Sequence, residues 1–166
     1  MSLTLILIRH AKSDWEDPLQ VDHDRPLNDR GRRAAPKIGG WLRAEGFVPQ
    51  TVICSTARRT QETCSGIKSR FNDPPEIRFT QTLYHADAST ILAQTHTAEG
   101  TALAIIGHNP GIGSLAWSLC DRPPAHPKFE SYPTGACLVL GFDVQSWDQV
   151  TAGQGRVLGF VTPRDL

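Results

Sequence analysis

Three short apolar runs, each set between turn or helix signals, constrain this chain more than any other feature: residues 3–8, 51–55 ("TVICS") and 102–107 ("ALAIIG"). Runs this short and this continuous fit strands buried on both faces of a sheet. Two further runs, residues 136–142 and 156–161, are close enough for an antiparallel hairpin, with Gly153 and Gly155 in the link. Helical patterns lie between the strands. Over residues 29–45, Ala34, Ile38, Trp41 and Leu42 share one face, and Gly46 is a natural stop, although Pro36 and the Gly39-Gly40 pair weaken the pattern. Residues 57–70, 88–97 and 112–119 are further candidates, the last with Pro110 in its first turn. The alternation predicts an α/β fold, a three-layer α/β/α sandwich with a mainly parallel sheet. A chain of 166 residues fits a single domain, 1–166.

Composition narrows the partners. Seventeen Lys plus Arg balance 17 Asp plus Glu, so no global field favours nucleic acid or an anionic membrane, and any basic site must be local. The longest apolar run falls far short of the roughly 18 residues a membrane span needs, and the start shows no basic region followed by a cleavage site. A cytoplasmic location is expected. Cys54, Cys64, Cys120 and Cys137 form no CxxC pair, which argues against structural zinc and a disulfide framework and for ordinary buried thiols.

Each of the first three strands ends on unusual residues. The first runs into Arg9-His10, the second into "STARRTQET" (55–63) and the third into "GHNPG" (107–111). Ligands of open α/β sheets collect at the carboxyl ends of the strands. If these strands are parallel neighbours, His10, Arg58 or Arg59, and His108 converge there. Arginine forks suit a tetrahedral oxyanion such as a phosphoryl group, and neighbouring cations disfavour the protonated form of an imidazole among them. The pattern therefore predicts a neutral, nucleophilic ring nitrogen.

The ordered motifs "RHAKS", "STARRTQET" and "GHNPG" resemble those of the histidine phosphatase superfamily, with its phosphoglycerate mutase-like fold. "RHAKSDW", "DRPLNDRG", "YPTGA" and the final "PRDL" bring the likeness closest to the SixA-type phosphohistidine phosphatases. The resemblance spans almost the whole chain. It implies that His10 is the nucleophile, that Arg9 grips the phosphoryl oxygens, that Arg59 rather than Arg58 is the catalytic arginine, and that His108 stabilises the phosphoryl group. It implies no metal and no other cofactor, since arginines and imidazoles supply the positive charge.

Departures from the family pattern bear on the substrate. Ala11 replaces the usual glycine, and Glu16 stands where sugar-phosphate relatives hold asparagine, which argues against mutase activity. The general-acid carboxylate also fails to appear: a register anchored on Leu83 puts His85 at its place, with Asp87 two residues later. Expelling an alkoxide without an acid typically costs about 10²- to 10⁴-fold in rate, whereas an imidazole leaves readily. His85 and Asp14 remain candidate proton donors or substrate contacts.

Arg25 is a further candidate, the alternative being a local salt bridge with Asp22 or Asp24, and Asn28 or Asp29 should cap the following helix. Arg164 is expected to dock the C-terminus rather than touch substrate. His23, His96 and His126 lack motif partners and are assigned to solvent or capping. Trp15, Trp41, Trp117 and Trp147 are assigned to packing, given no aromatic interleaving with a basic run.

These features predict a phosphatase that forms a phosphohistidine intermediate and acts on a phosphohistidine-bearing protein, for example a phosphorelay His domain. Little length remains for a lid over a small substrate. The alternatives are a broad phosphatase of small phosphate esters or phosphoramidates, and a degenerate phosphate-binding regulatory module. Neither nucleic acid nor membrane is an expected partner.

Overall fold

The computed structural model describes residues 2–166. In chain order the elements are β1 (Leu3–Arg9), α1 (Asp29–Glu45), β2 (Thr51–Ser55), α2 (Arg58–Lys68), β3 (Glu76–Thr80), α3 (Ala88–His96), β4 (Ala102–Gly107), α4 (Gly111–Leu119), β5 (Cys137–Phe142) and β6 (Arg156–Val161). The six strands form one sheet in the order β3-β2-β4-β1-β5-β6. The β1–β4, β4–β2 and β2–β3 pairings are parallel, while β5 runs antiparallel to both β1 and β6.

The period of two along β1 generates the layers. Leu3, Leu5 and Leu7 pack into one core with Ile112, Leu115 and Leu119 of α4. Ile6 and Ile8 face the other way, against Ala35, Ile38 and Leu42 of α1 and Cys64 and Ile67 of α2. The expected sandwich follows from a strand that is apolar on both faces.

One strand, β3, was not expected from the sequence, whereas the expected helix over 29–45 forms in full. β3 carries no continuous apolar run because it is an edge strand, with Glu76 and Arg78 alternating with Ile77 and Phe79 and only Ile77 and Thr80 part-buried. α1 runs uninterrupted through Pro36 and Gly39-Gly40. At Gly39 a Cβ would meet the Ile67 carbonyl oxygen at 2.2 Å, so the missing side chain lets α1 and α2 pack closely. The ends of α1 are as expected: Asn28 accepts from the Gly31 N–H at 2.8 Å, and Gly46 closes the helix at φ +79°. Pro110 is the N-cap of α4 rather than a member of its first turn.

All four cysteines are buried free thiols. Among the described residues no helix is long and apolar enough to cross a membrane.

Candidate active site

The β1–β4 contact is a point where chain order reverses, since α1 carries the chain from β1 past β4 to β2. Such a switch point opens a crevice at the strand ends. There Arg9, His10, Arg59 and His108 line one cleft of about 330 Å³, together with Arg25, Asp22 and His85.

The Arg9-His10 backbone is held from several directions. The Arg9 N–H donates to the Ala136 carbonyl at 3.0 Å and the His10 N–H to the Gly107 carbonyl at 3.1 Å. The Gly135 N–H reaches both the Arg9 and His10 carbonyls, and the Ala11 N–H donates to Thr63 Oγ1 at 3.0 Å. The Ala11 methyl group is itself buried beside Leu27 and Ala34, so the extra carbon of this departure packs without entering the cleft.

The His10 ring has a defined tautomer. Nδ1 lies 2.7 Å from the Ala11 carbonyl, and because a carbonyl only accepts, Nδ1 carries the proton and Nε2 keeps its lone pair. Burial, with the charges of Arg59, Arg9 and Arg25 adding to it against the Ala11 hydrogen bond, lowers the His10 pKa to about 4. The His108 ring centroid is 5.3 Å away. Its Nδ1 accepts from Arg59 at 3.4 Å and its Nε2–H donates to Ser55 Oγ at 2.8 Å. Burial, then His10 and Arg59, bring its pKa to about 3.

Arg59 is buried, with its Nη1 donating to the Asp22 carbonyl at 2.7 Å and its Nη2 to the Asp22 carboxylate at 3.0 Å. Arg58 instead faces solvent and pairs with Glu62 at 3.3 Å. Arg9 donates to the Tyr132 carbonyl at 3.1 Å. The buried Nε–H groups of Arg9 and Arg59 have no hydrogen-bond partner among the described residues. Leaving a buried donor unpaired costs about 1–3 kcal/mol, a pattern that marks sites built for a ligand's acceptors.

Asp22 is a cleft residue that the sequence singled out only as a salt-bridge partner of Arg25. It sits in a short 3₁₀ turn, Asp22–Asp24, and accepts from Arg59, Arg25, His85 and the Tyr84 hydroxyl. Burial pushes its carboxyl up, but the Tyr84 hydrogen bond and the Arg59 charge outweigh that and hold it well below the usual carboxylate range. Its only sequence signal is a carboxylate within "DHDRPL". Ser55, which orients His108, carries no signal beyond its place at the end of β2.

The other candidates divide. Arg25 is buried and lines the cleft; it forms the local salt bridge with Asp22 at 3.1 Å, while also donating to Ser13 Oγ at 2.6 Å and stacking on the Trp15 ring at 3.5 Å. His85 lies at the mouth, 3.1 Å from Asp22, and adopts φ +53°, a left-handed conformation that costs a residue with a side chain roughly 1–3 kcal/mol. Asp14 is not brought into the cleft; its carboxylate accepts the Glu16 N–H at 2.7 Å in a local turn.

Trp41 and Trp147 pack, the latter donating to the Gly100 carbonyl at 2.9 Å. Trp15 and Trp117 are mostly exposed, and Trp15 lines the cleft. Of the histidines assigned to solvent or capping, His23 bonds Thr56, His96 bonds the carbonyl of Val150 at the end of a 3₁₀ turn, and His126 pairs with Asp165.

Comparison with known proteins agrees with this geometry. Residues 5–83 match the model of the histidine phosphatase superfamily (branch 1). The Mycobacterium tuberculosis protein Rv1276c is 36% identical over 166 residues, covering 95% of this chain and 100% of that one. A structure from Nakamurella multipartitia assigned as a SixA phosphohistidine phosphatase superposes with a TM-score of 0.82 at 28% identity, over 98% of this chain and 97% of that one. The protein histidine phosphatase SixA complexed with tungstate gives a TM-score of 0.74 at 20% identity, covering 98% and 99%. The chain belongs to the histidine phosphatase superfamily. Within it the fold is that of the SixA type, and the class of activity is that of a phosphatase.

Proposed function

We propose that the protein hydrolyses phosphohistidine on a partner protein, with His10 as the nucleophile. The observation that carries this reading is the His10 tautomer: an unprotonated Nε2 within a cleft lined by three guanidiniums. The SixA structure that shares the fold holds tungstate, a tetrahedral dianion like a phosphoryl group.

In the first step Nε2 of His10 forms a bond to phosphorus while the P–N bond of the substrate breaks. A phosphohistidine protonated on its second ring nitrogen leaves as a neutral imidazole, so the bond made matches the bond broken and no proton need be supplied. In the second step water adds to phosphorus, dihydrogen phosphate departs with both protons of that water, and Nε2 recovers its lone pair. Arg9, Arg25 and Arg59 offer fixed positive charge to the oxygens throughout, which is where phosphoryl transfer gains most from a protein.

The substrate class follows from the proton balance. Among the described residues Asp22 is the one carboxylate lining the cleft, and it is held ionised by Tyr84 and Arg59, so it has no proton to give near neutrality. With Asp22 ionised and His85 directing Nε2 at it from 3.1 Å, the cleft offers an ester no carboxylic acid, a lack that costs about 10²- to 10⁴-fold, while a phosphohistidine loses little. Trp15, in the cleft wall and 74% exposed, offers a contact surface to a partner protein. Turnover of a phosphohistidine peptide should exceed that of a sugar phosphate by at least about 10²-fold in kcat/KM. A preference for the ester would overturn the assignment.

The depressed imidazole pKa values set the pH dependence. His10 and His108 remain neutral in the free enzyme down to about pH 4 and about pH 3, below the 6.5 of an ordinary histidine. The acid limb of kcat/KM should therefore lie well below pH 6.5, and an inflection at that value would show that His10 is not the residue titrating. In stability the sign runs the same way: the unfolded chain takes up two protons near pH 6.5 that the folded chain refuses. Stability is lost as pH falls from about 6.5 towards 4.

A further inference from the structure

A second concavity of about 290 Å³ adjoins the cleft and shares Lys12 and Thr134 with it. Its walls carry Lys12, Arg30, Lys128 and Arg164 and no carboxylate. None of these four cations forms a salt bridge or donates a side-chain hydrogen bond among the described residues, whereas the chain as a whole is neutral. Arg30 also stands in the first turn of α1, where the helix dipole disfavours a cation.

The groove is built by two segments, residues 131–135 and the C-terminal turn. Gly135, in "YPTGA", is hydrogen-bonded to the Arg9 and His10 carbonyls, and a Cβ on it would meet Pro163 Cγ at 2.6 Å. The C-terminal turn is fixed by reciprocal Thr162–Asp165 hydrogen bonds, and His126 holds Asp165 at 2.9 Å. Arg164 is thus presented beside the end of β1 by a braced turn whose docking is done by Thr162, Asp165 and His126 rather than, as expected, by Arg164 itself.

Trp15, in the cleft wall and outside the groove, is 74% exposed, and the loop that follows it exposes Leu19 at 92% and Val21 at 68%. A reactive cleft between an apolar loop and a cationic groove suits a protein surface, because a small metabolite has nothing to cover the loop with. Resting on the phosphohistidine reading above, we infer that the groove lined by Lys12, Arg30, Lys128 and Arg164 receives acidic side chains of the partner protein that flank its phosphohistidine. The groove then sets substrate preference and encounter rate, while the chemistry stays with the cleft.

The test uses the full chain and its Arg30→Gln/Lys128→Gln/Arg164→Gln variant, which leaves the cleft intact. Probes are a phosphohistidine peptide flanked by glutamates, the same peptide flanked by glutamines, and phosphoimidazole. The variant should lose about tenfold in kcat/KM on the glutamate-flanked peptide, mainly through KM, with the other two substrates unchanged. The wild-type preference for glutamate flanks should shrink as ionic strength rises. Equal rates on the two peptides, or equal losses on all three probes, would overturn the inference. Binding of the unphosphorylated glutamate peptide gives a readout independent of turnover. Weaker binding to the variant supports the groove even if phosphohistidine is not cleaved, and unchanged binding removes it.

Discussion

His10→Ala is expected to lower phosphohistidine hydrolysis by about 10⁴-fold or more, because removing a nucleophile removes the covalent route rather than weakening it. The ring has no substitute in the cleft. His108 is 5.3 Å away between ring centroids, and its nitrogens are engaged by Ser55 and Arg59. Steady-state turnover on a phosphohistidine peptide measures the loss, with circular dichroism to verify folding. A folded His10→Ala protein that retains wild-type turnover would remove His10 from the mechanism.

Arg59→Ala should cost about 10²- to 10³-fold in kcat, the size seen when one preorganised donor to a developing charge is lost. The neighbouring Arg58→Ala should change kcat less than about twofold, since an exposed ion pair such as that with Glu62 contributes a fraction of a kcal/mol to anything. The contrast between adjacent arginines separates position from net charge. Arg59→Lys keeps the charge but loses the fork that spans Asp22 and His108, and should recover only part of the activity. Equal effects at positions 58 and 59 would contradict the assignment.

Asp22 links these effects. It compensates Arg59 and Arg25 at once and takes hydrogen bonds from Tyr84 and His85, so it fixes the guanidiniums in place while staying ionised. A carboxylate inside an anion-binding cleft would oppose the substrate's charge. Here its oxygens are already occupied by cationic and hydroxyl donors, which limits the repulsion it exerts.

What was legible in the sequence follows from which interactions are local. β1, β2 and β4 are apolar on both faces and bounded by turn residues, so their ends, and with them the placement of His10, Arg59 and His108, could be read directly. β3 could not, because an edge strand buries too little to leave a continuous apolar run. The passage of α1 through Gly39 depends on a contact with Ile67, far along the chain. Asp22 was hidden for the same reason: its partners Arg59, Tyr84 and His85 come from α2 and the segment after β3, and no spacing within "DHDRPL" encodes them. Asp14 failed in the opposite sense, since a carboxylate two residues before an N–H forms a local turn at no tertiary cost and is thereby kept out of the cleft.

The central claim is that phosphorus passes through a bond to His10 Nε2, and trapping that bond tests it most directly. The protein is mixed briefly with a phosphohistidine substrate labelled in the phosphoryl group, quenched in alkali to preserve P–N bonds, and the labelled peptide is mapped. The account predicts label on the peptide containing His10, lost on acid treatment and absent from the His10→Ala protein. Turnover with no protein-bound label, or label on another residue, would contradict it.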